Sequence, residues 1–181
     1  MDLASLEGLE GLSIGRLAQA LGMSKSGVIG HFASKQALQL ETVEAARALF
    51  ETRVLEPVST ESGLARLRDL VESWIAYVES GAFSGGCFFW AASAEFDGRP
   101  GPVRERIASL TAHWLDELAR ESGRAVERGE LAPATDPAQL AFELHAFVQE
   151  ANWAYQLLGR SDAFARARRA VAARLETAEP D

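Results

Sequence analysis

Apolar residues recur every three or four positions along most of the chain, and nowhere do they alternate strictly with polar ones. That periodicity predicts helices and no strands. Ser13 opens the first clear segment, with Ile14, Leu17, Ala18 and Leu21 at helical spacing and Gly22 closing it. Ser24 caps a second helix through Val28 and Phe32. A long helix is predicted from Lys35 to about Val54, with Pro57 just beyond. Leu64, Leu67, Val71, Trp74 and Val78 form an apolar stripe between Gly63 and about Ser80. Gly81 and Gly85-Gly86 break that stripe, and residues 87–95 read as a short buried helix. Residues 97–102 (Asp-Gly-Arg-Pro-Gly-Pro) are a loop signal. A helix from Val103 to about Arg128 follows, with Val103, Ile107, Leu110, Trp114 and Leu118 on one side. Asp136 caps the next helix, with Pro137 at its first position, and the helix runs to Leu158 or Gly159. The last begins at Ser161 or Asp162 and ends near Glu176. The predicted fold class is all-α.

The first two helices carry more than packing information. Ala18, Gly22 and Val28 stand at the offsets of a helix-turn-helix, where a small residue lets the helices cross closely, a Gly makes the turn and an apolar residue locks the second helix. Between Ser13 and Lys35 lie Arg16, Lys25 and Lys35 and no Asp or Glu, although the whole chain has a net charge of −8. Lys25, Ser26, Gly27, Ile29 and Gly30 fall on the outward side of the second helix, short or basic as a major-groove surface requires. His31 and Lys35 follow as phosphate contacts. Ser13, Gly15 and Arg16 at the start of the first helix and Ser24 at the cap of the second complete the candidate DNA surface.

Residues 13–38, and His31-Phe32 followed by Ser34-Lys35 and Leu38 above all, resemble the DNA-binding module of the tetracycline-repressor (TetR) family. Where that family normally carries an aromatic residue, usually Tyr, this chain has Ile29. The resemblance implies an operator-binding module in residues 1–45 and a helical ligand-binding and dimerisation domain in residues 46–181. It implies a homodimer whose partners are double-stranded DNA and a small-molecule effector, acting as a cytoplasmic regulator and most simply as a repressor. Only eight residues precede Leu9, which reads as the last two turns of a front helix. Leu3 and Leu6 are expected to pack on the module, with most of one wall of its core open. Two explanations stand: a true start upstream of Met1, or a shortened form. A helical ligand-binding or dimerisation protein that has lost DNA binding is the alternative reading.

Composition narrows the chemistry. No stretch approaches a membrane span, and the run Cys87-Phe88-Phe89-Trp90-Ala91-Ala92 is far too short. No basic segment followed by an apolar core marks a secretory signal. Cys87 is the only cysteine, so no internal disulfide is available, which fits a reducing compartment. It sits in an apolar setting and reads as core. His31, His113 and His145 show no metal-ligand spacing. Ser84-Gly85-Gly86 lacks the strand before it and the Lys-Ser/Thr after it that a phosphate loop needs. Glu95 and Asp97 flank a loop and look solvated. No metal, cofactor or catalytic constellation is expected, and the chain does not read as an enzyme.

Aromatic and polar residues on the later helices suggest a ligand cavity. Its candidate lining is Trp74, Phe88, Trp90, His113, Trp114, Phe142, His145, Gln149 and Trp153. The helix from Asp136 has two apolar faces, and the final helix is rich in Ala. Both suit a four-helix bundle between two copies. Leu140, Leu144, Phe147, Ala151 and Tyr155 on one helix, and Phe164, Ala167 and Val171 on the other, are the expected dimer contacts.

Overall fold

A computed structural model describes residues 1–179. Among them there are helices and no strands: α1 (Asp2–Glu7), α2 (Ile14–Leu21), α3 (Lys25–Ile29), α4 (Lys35–Phe50), α5 (Leu64–Glu79), α6 (Phe88–Phe96), α7 (Pro102–Glu127), α8 (Pro137–Leu158) and α9 (Ala163–Glu176). The long helix expected to reach Val54 does so in two forms. Its α-helical part ends at Phe50, and Glu51–Leu55 form one π-helical turn, closed by the Glu56 N–H on the Glu51 carbonyl at 2.9 Å. Val54 within that turn is fully buried. The chain forms two compact units: Met1–Leu49 with Phe83–Leu110, and Phe50–Ala82 with residues from Thr111 onward. The segment 83–110 therefore packs with the N-terminal helices.

In unit 1 the loop between α1 and α2 is gripped from two elements. The Glu95 carboxylate on α6 accepts the Leu9 N–H (2.7 Å) and the Glu10 N–H (3.1 Å). From α4, buried Gln39 donates its Nε2 to the Leu9 carbonyl at 3.1 Å and to Glu10 Oε2 at 3.0 Å. The start of α1 is held too. Asp2 accepts the Ser84 N–H (2.7 Å) and hydroxyl (3.1 Å), and the Gly85 N–H donates to Ser5 Oγ at 3.1 Å. The Ser84 bonds hold the Asp2 carboxyl below its usual range. Two glycines allow this approach. A Cβ on Gly8, at φ 84°, would lie 2.7 Å from Glu95 Oε1, and one on Gly85 would overlap the Ser5 carbonyl oxygen. The segment 84–95 thus holds α1 and the loop that follows it, and Glu95 is half-buried and hydrogen-bonded rather than solvated. Leu9 and Leu12 are buried, but Leu6 is exposed and does not pack as expected.

Unit 2 is a helical core. Leu67, Leu70, Val71, Trp74 and Ile75 of α5 are buried, as are Leu140, Leu144 and Val148 of α8 and Phe164, Ala167, Val171 and Leu175 of α9. Gly159, left-handed at φ 64°, reverses the chain between α8 and α9. The first turn of α5 is capped by carboxylates from beyond its own chain neighbourhood. Glu121, only 1% exposed, accepts the Gly63 N–H at 3.0 Å and the Ser62 hydroxyl at 2.7 Å, and Glu130 accepts the Leu64 N–H at 2.8 Å. Acceptors there satisfy orphan helix donors and complement the helix dipole. Burial pushes the Glu121 carboxyl up, but the Gly63 and Ser62 bonds and the Arg124 guanidinium outweigh it and hold the group below its usual range.

Candidate nucleic-acid interface and buried aromatic cluster

The helix-turn-helix forms from local signals. The Ser13 hydroxyl accepts the Arg16 N–H at 3.1 Å and starts α2. Gly22 ends it at φ 64°, ψ 26°, a conformation that costs other residues more than Gly. The Ser24 hydroxyl accepts the Gly27 N–H at 3.1 Å and starts α3. That helix is shorter than the sequence suggests, five residues, with one further turn carried by the His31 and Phe32 N–H groups on the Val28 carbonyl. Ala18 and Val28 are buried. Lys25, Ser26, Gly27, Ile29, Gly30 and His31 are all exposed, as is Lys35 at the start of α4. One side chain thus anchors α3 while the others form an open surface. Gly15 has a steric role: a Cβ there would lie 2.7 Å from Lys25 Cε, so its absence lets the lysine chain lie across the start of α2.

The cationic character of this surface is partly offset within unit 1. Arg16 Nε lies 2.8 Å from Glu7 Oε2 and 3.0 Å from Oε1, and Lys35 Nζ lies 2.6 Å from Glu10 Oε1. Neither acid is in the 13–35 window, so sequence counting missed both. Lys35 and Gln39 hold the Glu10 carboxyl below its usual range. Lys25 has no ion-pair partner among the described residues. Exposed pairs of this kind are worth about 0–1 kcal/mol, so an incoming phosphate competes with them at small cost.

Unit 2 gathers a second constellation. Trp74 on α5 meets Trp114 on α7 edge-on at 5.4 Å between ring centres, and His145 on α8 stacks on Trp74 at 5.2 Å and 24°. Phe50 closes on Trp114 at 5.1 Å. Gln149 Nε2 lies 3.4 Å from His145 Nε2. Thr111 Oγ1, Trp114 Nε1 and Gln149 Oε1 are buried with no hydrogen-bond partner in the structure. Thr111 and Phe50 were not anticipated; neither carries a local signal for this placement. Of the expected lining, Trp74, Trp114, His145 and Gln149 come together here. His113 and Phe142 are exposed and do not join them. Phe88 and Trp90 belong to unit 1, where buried Phe88 packs on Phe83 and Phe89. Trp153 is half-buried, at the register on α8 shared by exposed Phe142, Ala146 and Leu157. Cys87 is buried, which pushes its thiol up, away from the reactive thiolate.

The expected dimer contacts fall mostly inside the subunit. Leu140, Leu144, Ala151, Phe164, Ala167 and Val171 are buried within their own chain. Phe147 is half-buried, and Tyr155 is 41% exposed while packing on Phe164 at 5.2 Å. The apolar surface α8 leaves open is instead Phe142, Leu157 and Leu158.

Burial pushes the His145 imidazole down to about 4. The unfolded chain takes up that proton below about pH 6.5, while the folded one resists until about 4. The resulting stabilisation is complete above pH 6.5 and is lost as pH falls from 6.5 towards 4. His145→Phe keeps a ring on Trp74 and removes the proton. Urea unfolding at pH 7.5 and pH 5 is expected to show the native chain losing about 2 kcal/mol more than the variant over that interval; parallel losses would contradict it.

A family model described as bacterial regulatory proteins, tetR family, matches residues 1–42, and one described as Tetracyclin repressor-like, C-terminal domain, matches residues 63–171. No curated protein matches the chain. Solved structures do. A TetR transcriptional regulator from Chloroflexus aurantiacus J-10-FL is similar at a TM-score of 0.88 and 22% identity, over 98% of this chain and 90% of that one. A TetR-family regulator from Cytophaga hutchinsonii gives 0.80 and 17%, over 99% and 92%. AibR, solved in complex with isovaleryl coenzyme A and operator DNA, gives 0.70 and 24%, over 98% and 92%. These likenesses show the fold, and together with the two matched domains and the geometry of α2 and α3 they place the protein: the chain belongs to the TetR family of bacterial regulatory proteins, DNA-binding transcriptional regulators that respond to ligands.

Proposed function

We propose that two copies of this chain bind a near-palindromic operator through α3 and release it when a small molecule occupies the buried cluster of unit 2. The observation that carries the DNA half is the exposed surface of α3 behind a correctly made turn. Gly22 is left-handed, Val28 is buried, and Lys25, Ser26, Gly27, Ile29 and Gly30 all face solvent. Residues 1–45 serve as the DNA-binding domain, braced by the segment 84–95, and effector binding and dimerisation fall to the rest of 46–181. Paired recognition helices reach successive major grooves about 34–36 Å apart. The ligand half is supported by the three unpartnered polar atoms of the aromatic cluster and by a neighbour of similar fold, AibR, bound to both isovaleryl coenzyme A and operator DNA. A ligand shifts the DNA-bound state only by binding the two arrangements unequally, and the coupling is reciprocal. The reading is repression by occupancy, with binding rather than catalysis as the chemistry. The ten described helices and turns include none long and apolar enough to cross a membrane.

Dimerisation is assigned to the outward faces of α8 and α9. On α8 the exposed residues Phe142, Ala146 and Leu157 share one register with half-buried Trp153; on α9 the small exposed residues Ala165 and Ala172 allow close approach. Leu157→Glu is expected to give a folded monomer in sedimentation, because a dry interface solvates a paired charge poorly. Ala167→Glu, by contrast, places a charge in the subunit's own core and is expected to unfold unit 2. A dimer unaffected by Leu157→Glu would place the interface elsewhere.

Operator recognition is tested at Lys25. Against an operator selected from random duplexes, Lys25→Ala is expected to weaken specific binding by about 1–3 kcal/mol, read by fluorescence anisotropy. Unchanged binding after Lys25→Ala and His31→Ala together would rule this surface out.

A further inference from the structure

The cluster around Trp114 does something the rest of unit 2 avoids. Elsewhere a buried polar group finds partners: Glu121 has Ser62, Gly63 and Arg124, and the Ser122 hydroxyl donates to the Leu118 carbonyl at 2.8 Å. Among the described residues, the buried side-chain atoms left unpartnered are Thr111 Oγ1, Trp114 Nε1 and Gln149 Oε1. Each such atom is costly if nothing satisfies it, and each calls for an explanation. Thr111 and Trp114 stand three residues apart on one face of α7. Trp114 meets Trp74, Trp74 stacks on His145, and His145 meets Gln149, so Trp114 and Gln149 belong to one chain of contacts, with Phe50 against Trp114 and Thr111 one turn before it on α7.

The three atoms have distinct chemistry. Trp114 Nε1 only donates, Gln149 Oε1 only accepts, and the Thr111 hydroxyl does either. Their surroundings are aromatic: Phe50, Trp74, Trp114 and the His145 ring. No Arg or Lys belongs to the set. Elsewhere in unit 2, Arg124 pairs with Glu121, Arg168 with Glu72 and Glu79, and Arg174 with Glu143. His145, held near 4, is neutral at pH 7 and adds no charge. A carboxylate or phosphate taken into such a place would lose its water for no counter-charge, and Arg or Lys is what such groups are normally met by.

Resting on the effector reading above, we infer that this site takes an uncharged ligand with an aromatic or otherwise apolar body and a hydroxyl group, which accepts from Trp114 Nε1 or Thr111 Oγ1 and donates to Gln149 Oε1. The ligand class therefore differs from the polyanionic coenzyme A thioester bound to AibR.

The test uses the full chain and four probes: 2-naphthol, naphthalene, 2-naphthoate and isovaleryl coenzyme A. Thermal unfolding and operator release are read at pH 7. 2-Naphthol is expected to raise the melting temperature and release operator. Naphthalene, with no polar group to meet the three atoms, is expected to bind about tenfold more weakly. 2-Naphthoate and the coenzyme A thioester are expected to bind at least a hundredfold more weakly, having a charge to desolvate. Trp114→Phe keeps a ring and removes the N–H. It should abolish the preference for 2-naphthol over naphthalene, compared within the variant. Thr111→Val removes one unsatisfied hydroxyl at nearly constant volume. It should raise the melting temperature of the free chain while weakening 2-naphthol, a pairing that a purely structural role does not produce. The inference is overturned if 2-naphthol fails to bind, if 2-naphthoate or the thioester binds as well as 2-naphthol, or if both variants bind 2-naphthol unchanged. Operator release by the thioester alone would keep the sensor reading and discard the uncharged ligand. Operator binding that no probe alters would discard both.

Discussion

One carboxylate fixes the loop on which the N-terminal unit depends. Glu95 accepts two consecutive backbone N–H groups, those of Leu9 and Glu10, and charge-assisted bonds of this kind are worth about 1.5–3 kcal/mol each. Gln39 takes the Leu9 carbonyl from the other side. With both backbone groups of Leu9 occupied, the side chains of Leu9 and Leu12 are held buried in the interior of unit 1. A helix of five residues such as α3 has little stability of its own. It holds its place through Ser24, through Val28 and through the core beneath it. The segment 84–95 is therefore a structural part of the DNA-reading unit, although it lies some fifty residues further along the chain.

Electrostatics in this unit balance at short range. The whole chain is acidic at −8, and Glu7 and Glu10 occupy Arg16 and Lys35, the two cations flanking α3. A polyphosphate presents stronger and more numerous acceptors than either glutamate, and displaced pairs of this exposure return little free energy. Under the proposed reading, binding by this surface depends on salt through the phosphates it neutralises, and Lys25, with no ion-pair partner among the described residues, meets a base or phosphate without displacing one.

The helices were legible in the sequence because their signals are local. Ser13, Ser24, Asp136, Gly22 and Gly159 act on neighbours within a turn, and each caps or terminates the helix its position announced. The family was legible for the same reason, in residues 13–38. The faces of α8 and α9 were not. Leu144, Ala167 and Val171 recur at helical spacing, and that spacing is identical whether the chain's own core or a second copy covers them. The part of the aromatic cluster that did emerge, Trp74, Trp114, His145 and Gln149, has large or chemically distinctive side chains. Thr111 went unnoticed because an ordinary hydroxyl becomes informative only when burial leaves it unpartnered. Glu95 was misread as solvated because its partners are backbone groups more than eighty residues away.

Amide hydrogen exchange tests the account where it is most exposed. In the native chain the Leu9 and Glu10 amides are expected to be protected, and Glu95→Ala is expected to release them and to lower protection through α2 and α3 while α5 and α8 keep theirs. Protection of α2 and α3 that is unchanged in the Glu95→Ala chain would show that the N-terminal unit stands without this carboxylate.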